Sequence, residues 1–271
     1  SNLQVVSPPE YPLTDNGRKR LLYIICAFIG SIIFITGFSL LVELIDRTLR
    51  DAYRSRRLTG LPVIAAFNGT NNLKYRGFLK ACNRRAAAYA CQQINGYLQP
   101  NRATIINLLS IEEREGKSFL AKYFAQYWES EGLHVRIVNH DIDFEKESKS
   151  YVQAQQLSDF WQLNDAEQQP DIILVEYPAL CHYDVPEKVL AESDFNLLVA
   201  NAARLWSEKD NARLRSVKDI LKDKSLYLYL NNADRETVES FTGELPPHNS
   251  VHSFFRRLAQ LGLTSQKAAV K

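Results

Sequence analysis

Residues 103–118 read ATIINLLSIEEREGKS, and this stretch decides the fold. Residues 103–110 form a short apolar run rich in β-formers, which predicts a buried strand. Residues 117–131, which begin inside the Gly116-Lys117-Ser118 tripeptide, carry aromatic and aliphatic side chains at helical spacing. A strand, a polar loop and a helix in this order let backbone amides, a lysine and a hydroxyl bind phosphate and Mg²⁺. The stretch therefore predicts a phosphate-binding loop.

The loop departs from the usual pattern GxxxxGK[ST] at its first position, where the pattern requires glycine and this chain has Ile111. A Gly-Lys-Ser tripeptide is also frequent by chance. The alternative interpretation is an ordinary helix N-terminus with Gly116 and Ser118 near the cap. The sequence leaves both interpretations open.

Further strands are predicted on the C-terminal side of this loop. Helical patterns separate them, which is typical of a parallel sheet with helices on both faces. Ligands of such sheets bind beyond the carboxyl ends of the strands. The expected fold is therefore α/β, a P-loop NTPase-like parallel sheet preceded by one transmembrane helix. The predicted strands are residues 135–141, 171–178, 195–201 and 226–232.

A membrane segment is predicted near the start of the chain. Residues 21–42 read LLYIICAFIGSIIFITGFSLLV, 22 residues without a charge. As a helix they would span about 33 Å, against a hydrocarbon core of about 30 Å. Arginines are more numerous after this segment than basic residues before it, so the positive-inside rule favours a cytoplasmic C-terminal side.

The chain is expected to comprise five segments. The charged helix after the membrane segment should end at Gly60 and Pro62, and its arginines suit either the anionic inner leaflet or solvent. The absence of Met, even at position 1, predicts a piece of a longer protein. The segments are a Pro-containing extracytoplasmic approach (1–17), the transmembrane helix (18–46), a charged juxtamembrane helix and linker (47–69), the phosphate-loop domain (70–265) and a tail (266–271).

Composition excludes several classes of protein. The chain has 33 Lys and Arg against 31 Asp and Glu, a net charge of +2, which argues against a nucleic-acid partner. Four Cys without CxxC spacing support neither a disulfide framework nor a zinc site. A hydrophobic fraction of 45% excludes wholesale disorder.

Three stretches together resemble the C-terminal part of bacterial polysaccharide co-polymerases, the chain-length determinant proteins fused to a tyrosine autokinase domain. They are Pro8-Pro9 and the apolar helix with the following residues 43–67 (ELIDRTLRDAYRSRRLTGLPVIAAF), the loop SIEEREGKS at 110–118, and the later strand ends. The resemblance implies a protein of the bacterial inner membrane, in which the apolar helix at residues 21–42 is the second transmembrane helix. It also implies a cytoplasmic domain that binds ATP and Mg²⁺, self-association, and contact with the machinery that polymerises and exports a surface polysaccharide or exopolysaccharide.

The resemblance also implies roles for individual residues. Catalysis would rest on Lys117, Asp141 and Glu176, and the metal on Ser118, Asp141 and Glu176. Asn231 would read the adenine edge, although a turn residue is an equal interpretation of it. The nucleotide-binding residues would be Ser110, Glu115, Gly116, Lys117, Ser118, Phe119 and Asn231.

Several positions depart from the family pattern. Arg114 stands where the family has glycine, so its bulky side chain must accept the local backbone conformation. Asn139 replaces the first carboxylate of an Asp-x-Asp motif, and an amide cannot accept a proton. A one-residue shift would instead make Asp141 and Asp143 the two carboxylates. Glu176 replaces an aspartate and places its charge one methylene further out.

Two family features beyond the site are reduced. The family's C-terminal tyrosine cluster is missing, since the last tyrosine here is Tyr229, and its ring-forming motif survives only as Lys74, Arg76 and Arg84-Arg85. These departures imply an autokinase-like domain with impaired catalysis. The alternatives are a non-catalytic scaffold, or pseudokinase, regulated by a separate kinase, and a membrane-tethered partition-type ATPase.

Overall fold

The computed structural model describes residues 17–69, 77–163 and 168–246. The chain divides into two compact units, Ser1–Asp46 and Arg47–Lys271. The predicted approach segment up to residue 16, the tail 266–271, Pro8-Pro9, Lys74 and Arg76 lie outside the described residues.

The first unit contains helix α1, Gly17–Ile45. Within it, Lys19–Val42 spans 24 residues of mean hydropathy 2.5. Among the described residues this is the one helix long and apolar enough to cross a membrane, by length and composition. None of that stretch is buried inside the protein, in contrast to the core helix of a soluble domain. The helix therefore suits the predicted membrane segment.

The second unit is built on a six-stranded sheet in the order β1-β6-β5-β2-β4-β3. Every pairing between neighbouring strands is parallel, which confirms the predicted α/β class. The strands are β1 Val63–Asn68, β2 Thr104–Leu109, β3 Val135–Asn139, β4 Ile172–Glu176, β5 Phe195–Asn201 and β6 Leu226–Ala233.

Helices cover the sheet. Every residue of β2 is buried, and because successive strand side chains point to opposite faces, both faces must be covered. Two groups of helices contact one another, α3 with α4 and α8, and α6 with α7. The helices are α2 Ala52–Thr59, α3 Leu79–Ile94, α4 Lys117–Ser130, α5 Lys149–Val152, α6 Glu187–Glu192, α7 Glu208–Leu221 and α8 Arg235–Thr242.

The region predicted as a charged helix and linker, residues 47–69, contains both a helix and a sheet strand. Helix α2 ends at Gly60, whose left-handed backbone (φ 67°) lets its amide bond to the carbonyl of Arg56. The next strand, β1, pairs with β6 at the edge of the sheet, and its four central residues are buried. Burial of this apolar run, VIAAFN, explains why it joins the sheet instead of serving as a linker.

An aromatic cluster fixes α4 against the sheet. The ring of Phe124 makes edge contacts with Trp128 at 5.5 Å and with Tyr229 of β6 at 5.8 Å between centroids. Tyr229 in turn contacts Phe67 of β1 at 5.0 Å. Such pairs add about 0.5–1.5 kcal/mol each beyond the area they bury. The cluster therefore fixes the middle of α4 against β1 and β6. The first turn of this helix follows the predicted loop at the carboxyl end of β2.

Candidate phosphate-binding site

The loop between β2 and α4 turns through two left-handed residues. Gly116 has φ 100° and directly precedes α4, and Arg114 has φ 57°. A side chain in this conformation costs roughly 1–2 kcal/mol. Arg114 adopts this conformation at a position where the family pattern has glycine. This confirms the prediction that a bulky side chain must accept the local backbone conformation there.

Asn231 closes the loop from the end of β6. Its Nδ2 donates to the carbonyl oxygen of Glu115 at 3.0 Å, and its Oδ1 accepts from the amide of Asn232 at 3.0 Å. A Cβ added to Gly116 would lie 2.1 Å from the same Nδ2. Only glycine therefore fits at position 116. Because both ends of the Asn231 amide are engaged in the protein, the adenine-reading role remains a prediction.

Lys117 is a buried cation at the first position of α4. It is 8% exposed, and its Nζ donates to Ser110 Oγ at 2.5 Å. Burial lowers the pKa of Lys117, while the nearby charges of Glu115, Glu176 and Asp141 oppose that shift. The structure thus brings Ser110 and Lys117 together and holds a desolvated ammonium beside the loop, where a phosphate would supply a strong anionic partner.

Ser118 and Glu176 meet at the carboxyl edge of the sheet. Ser118 Oγ donates to Glu176 Oε2 at 2.6 Å, and Asn139 Nδ2 donates to the same oxygen at 3.1 Å. Glu176 is 2% exposed, so burial raises its pKa, and the hydrogen bond from Ser118 and the charge of Lys117 partly offset this. A hydroxyl and a carboxylate oxygen side by side are ligands that Mg²⁺ accepts. These two residues fit a Mg²⁺ ion.

Asp141 contacts two basic side chains. Its side chain is 64% exposed and contacts Nε2 of His140 at 3.4 Å and Nζ of Lys146 at 3.7 Å. Across residues 17–69, 77–163 and 168–246, no three His, Cys, Asp or Glu side chains converge as a metal site. Of the predicted metal set, the structure therefore joins Ser118 with Glu176, while the place of Asp141 as a ligand stays a prediction.

The β3–β4 register decides which residue faces Glu176. Asn139 is the register partner of Glu176, at the last position of each strand. The Asp143 carboxylate turns back instead. It accepts from the backbone N–H of Asn139 at 2.7 Å and from Arg136 Nη2 at 2.7 Å. The structure thus places an amide beside Glu176 and does not support the one-residue shift to Asp141 and Asp143.

Glu115 holds the loop in shape through its side chain. The carboxylate is 2% exposed, and its Oε2 accepts from the Glu112 amide at 3.1 Å. Its Oε1 accepts from Arg204 Nε at 2.8 Å. Sequence reasoning missed Arg204, although it lies three residues beyond the end of β5, in the zone where ligand-binding residues of parallel sheets are expected. Glu115 as a direct nucleotide ligand stays a prediction.

Phe119 begins the exposed face of α4. Its ring is 42% exposed and packs edge-on against Phe67 at 5.4 Å and Tyr123 at 4.9 Å between centroids. An exposed aromatic face one residue after Ser118 suits contact with a bound nucleotide. The predicted role of Phe119 remains a prediction.

Comparisons with known proteins give structural likenesses only. No protein-family model and no curated protein matches the chain. The kinase domain of the Escherichia coli tyrosine kinase Etk matches at TM-score 0.47 and 13% identity, over 65% of this chain and 92% of that one. The chimerical protein CapA2B2 matches at 0.47 and 14%, over 68% and 100%. The BceF tyrosine kinase domain matches at 0.44 and 13%, over 68% and 99%.

The tyrosine kinase domains among these structures are of the class that the sequence resembles. With identities of 13–14% and TM-scores of at most 0.47, these likenesses establish no activity for this chain. The fold rests on the strand order and pairing described above.

Proposed function

We propose that this chain is a component of the bacterial inner membrane that serves surface polysaccharide or exopolysaccharide biosynthesis and export. Its cytoplasmic domain would bind ATP and Mg²⁺ and resemble a tyrosine autokinase with impaired phosphotransfer. The observation that carries the nucleotide site is the buried Lys117 beside the Ser118–Glu176 pair, at the start of a helix and at the carboxyl edge of a parallel sheet.

Different residues at this edge would bind the phosphates and the metal ion. The Lys117 ammonium and the free amides of the first turn of α4 would bind the phosphates. Ser118 Oγ and the Glu176 carboxylate would hold Mg²⁺, which in phosphoryl transfer neutralises charge on the phosphates. Metal binding would take the place of the hydrogen bond that now joins Ser118 to Glu176.

Impaired catalysis follows from Asn139. A tyrosine hydroxyl attacks phosphate more readily when a carboxylate accepts its proton. The residue beside Glu176 is an amide, which donates to that carboxylate and cannot act as a base. The carboxylate of Asp141 is exposed and contacts Lys146. The same observation favours a second candidate, a non-catalytic scaffold regulated by a separate kinase.

Membrane anchoring and assembly complete the proposal. Helix α1 supports anchoring, because Lys19–Val42 is long and apolar enough to span a bilayer. A membrane-tethered partition-type ATPase would share the fold, but it explains the Pro-rich approach and this helix less well. Self-association and contact with polysaccharide machinery come from the resemblance stated for the sequence.

Titration of the full chain in detergent with Mg-ATP tests the proposal. We expect saturable binding by calorimetry, because the loop, Lys117 and the Ser118–Glu176 pair are in place. We expect little or no phosphotyrosine on immunoblots after incubation with Mg-ATP, since Asn139 supplies no base. Robust autophosphorylation would contradict the impairment, whereas the absence of binding would contradict the nucleotide site itself.

A pH series tests the role of Glu176 in holding Mg²⁺. A proton on the carboxylate competes with the metal, and burial raises the pKa of Glu176 above its ordinary value of 4.5. The Mg²⁺-dependent gain in ATP affinity should therefore weaken as pH falls, starting at a higher pH than an exposed glutamate would show. Glu176→Gln should remove most of this gain and flatten the profile.

The matched control for this series is Glu129→Gln, which changes an exposed carboxylate at the far end of α4. It should leave the profile as in the wild type. A wild-type profile as flat as that of Glu176→Gln would show that the Glu176 carboxylate does not hold the metal.

A further inference from the structure

We propose that Arg204 is a positioning residue of the phosphate-binding site. It would neutralise Glu115 inside the loop, and residues 47–49 would hold it in place. The inference rests on the proposed nucleotide binding, and it concerns a residue outside the predicted ligand set.

Arg204 lies between two buried carboxylates. Its Nε is 2.8 Å from Glu115 Oε1, and its Nη1 is 2.8 Å from Asp210 Oδ1. The side chains are 19% exposed for Arg204, 2% for Glu115 and 4% for Asp210. The amide of Asn201 also donates to Glu115 Oε1, at 3.3 Å. Glu115 is thus fixed from the end of β5 on one side and from its own loop on the other.

The charge of Glu115 matters because of where it sits. Glu115 lies two residues before Lys117, in the loop proposed to bind a polyanion, and burial raises its pKa while Arg204 opposes that shift. Without the guanidinium, the carboxylate would stay in the loop as an unpaired buried charge that repels phosphate. This repulsion weakens phosphate binding, although Arg204 itself need not contact the ligand.

The backbone around Arg204 is tied to the first residues of the second unit. Its carbonyl accepts from the Leu49 amide at 3.4 Å, and the Trp206 amide donates to the Arg47 carbonyl at 2.9 Å. Between these two hydrogen bonds, Thr48 and Leu205 pair as an antiparallel β-bridge. Leu49 is fully buried and Trp206 is 2% exposed, so the bridge is anchored in the core.

The Arg204 guanidinium also lies over the Trp206 ring, 5.2 Å from its centroid. The side chain that reaches the loop is therefore aligned by the same residues that pair with 47–49. Because coupling between two sites is reciprocal, nucleotide in the loop should in turn stabilise this bridge.

A double-mutant cycle separates this role from a purely structural one. Mg-ATP affinity of the full chain in detergent is measured for the wild type, Arg204→Met, Glu115→Gln and the double variant. We expect Arg204→Met to weaken binding roughly 10- to 100-fold, within the usual range of coupling between sites. The double variant should recover most of that loss, because no unpaired buried carboxylate remains in the phosphate-binding loop, while the unpaired Asp210 lies outside it on α7. Losses that simply add would overturn the inference.

The matched control is Arg215→Met, which removes an arginine from the exposed Arg215–Glu208 pair on α7. It should bind Mg-ATP like the wild type. If Arg204→Met does not fold, as judged by thermal melting, Arg204→Lys keeps the positive charge and should bind more tightly than any folded neutral variant at 204. A folded Arg204→Lys protein with no detectable Mg-ATP binding would overturn the account based on charge.

Hydrogen exchange gives a second readout. Mg-ATP should slow exchange of the Leu49 and Trp206 amides in the wild type, and this protection should vanish in Arg204→Met at saturating nucleotide. If the wild type binds Mg-ATP and Arg204→Met binds it with the same affinity, the inference is overturned and the proposed function stays intact. A wild type that does not bind Mg-ATP overturns both.

Discussion

Lys117→Ala is expected to weaken Mg-ATP binding roughly 100-fold, because charge-assisted hydrogen bonds are worth about 1.5–3 kcal/mol and this lysine is placed to make them with phosphate. The Lys117 residue is 8% exposed, so a phosphate would meet its ammonium in a site largely closed to water. Calorimetric titration of the full chain in detergent measures the change. Unchanged affinity would exclude the assigned site.

Loss of binding in Lys117→Ala should not come from unfolding. Burial lowers the pKa of Lys117, so folding disfavours its charged form, and alanine removes that cost. The melting temperature should therefore stay close to that of the wild type. The matched control is Lys149→Ala, which also removes a lysine from the first position of a helix, here the exposed start of α5. It should leave both binding and melting temperature unchanged.

Gly116→Ala is expected to lower the free energy of unfolding by about 2–4 kcal/mol and to abolish Mg-ATP binding. The backbone at φ 100° is strained for alanine, and the new Cβ would lie 2.1 Å from Asn231 Nδ2. Relief of that clash must displace Asn231 and break its 3.0 Å bond to the Glu115 carbonyl. Chemical denaturation measures the loss of stability, and calorimetry measures binding.

Gly132→Ala is the matched control for the backbone part of this effect. Gly132 also has a left-handed conformation, φ 86°, but an added Cβ would have no atom within 4 Å. It should cost only about 1 kcal/mol. Adding Asn231→Ala to Gly116→Ala should restore the part of the free energy of unfolding that is lost to the clash with Asn231. Equal losses for Gly116→Ala and Gly132→Ala would show that the contact with Asn231 is unimportant.

The fold could be predicted largely because the strands are short apolar runs with helical patterns between them. The strand at 63–68 escaped because VIAAFN follows Pro62 and a charged helix, a context equally typical of a linker. Its place depends on pairing with β6 far along the chain, and no local pattern encodes that pairing.

The site could be predicted where it follows from the strand–loop–helix order, as for Lys117 and Ser118. The resemblance, and not the strand pattern, points to Glu176, which the structure places at the last position of β4. The contacts of Arg204 and Asn231 with the loop could not be predicted, because they depend on β5 and β6 lying beside β2 in the sheet. The role of Asp141 comes from the resemblance and stays a prediction, since its side chain is 64% exposed and contacts Lys146.

The pairing of β1 with β6 also constrains how the domain is synthesised. The strand of the sheet that is synthesised first, β1, pairs with the strand that is synthesised last, β6, and Val63 is in register with Leu228. Until β6 has been made, the apolar run VIAAFN has no neighbour on which to form its backbone hydrogen bonds. Such non-local pairing slows folding and exposes an aggregation-prone edge in the meantime. A nascent chain stalled before residue 226 is therefore expected to depend on chaperones, and it also lacks Asn231, which closes the phosphate-binding loop.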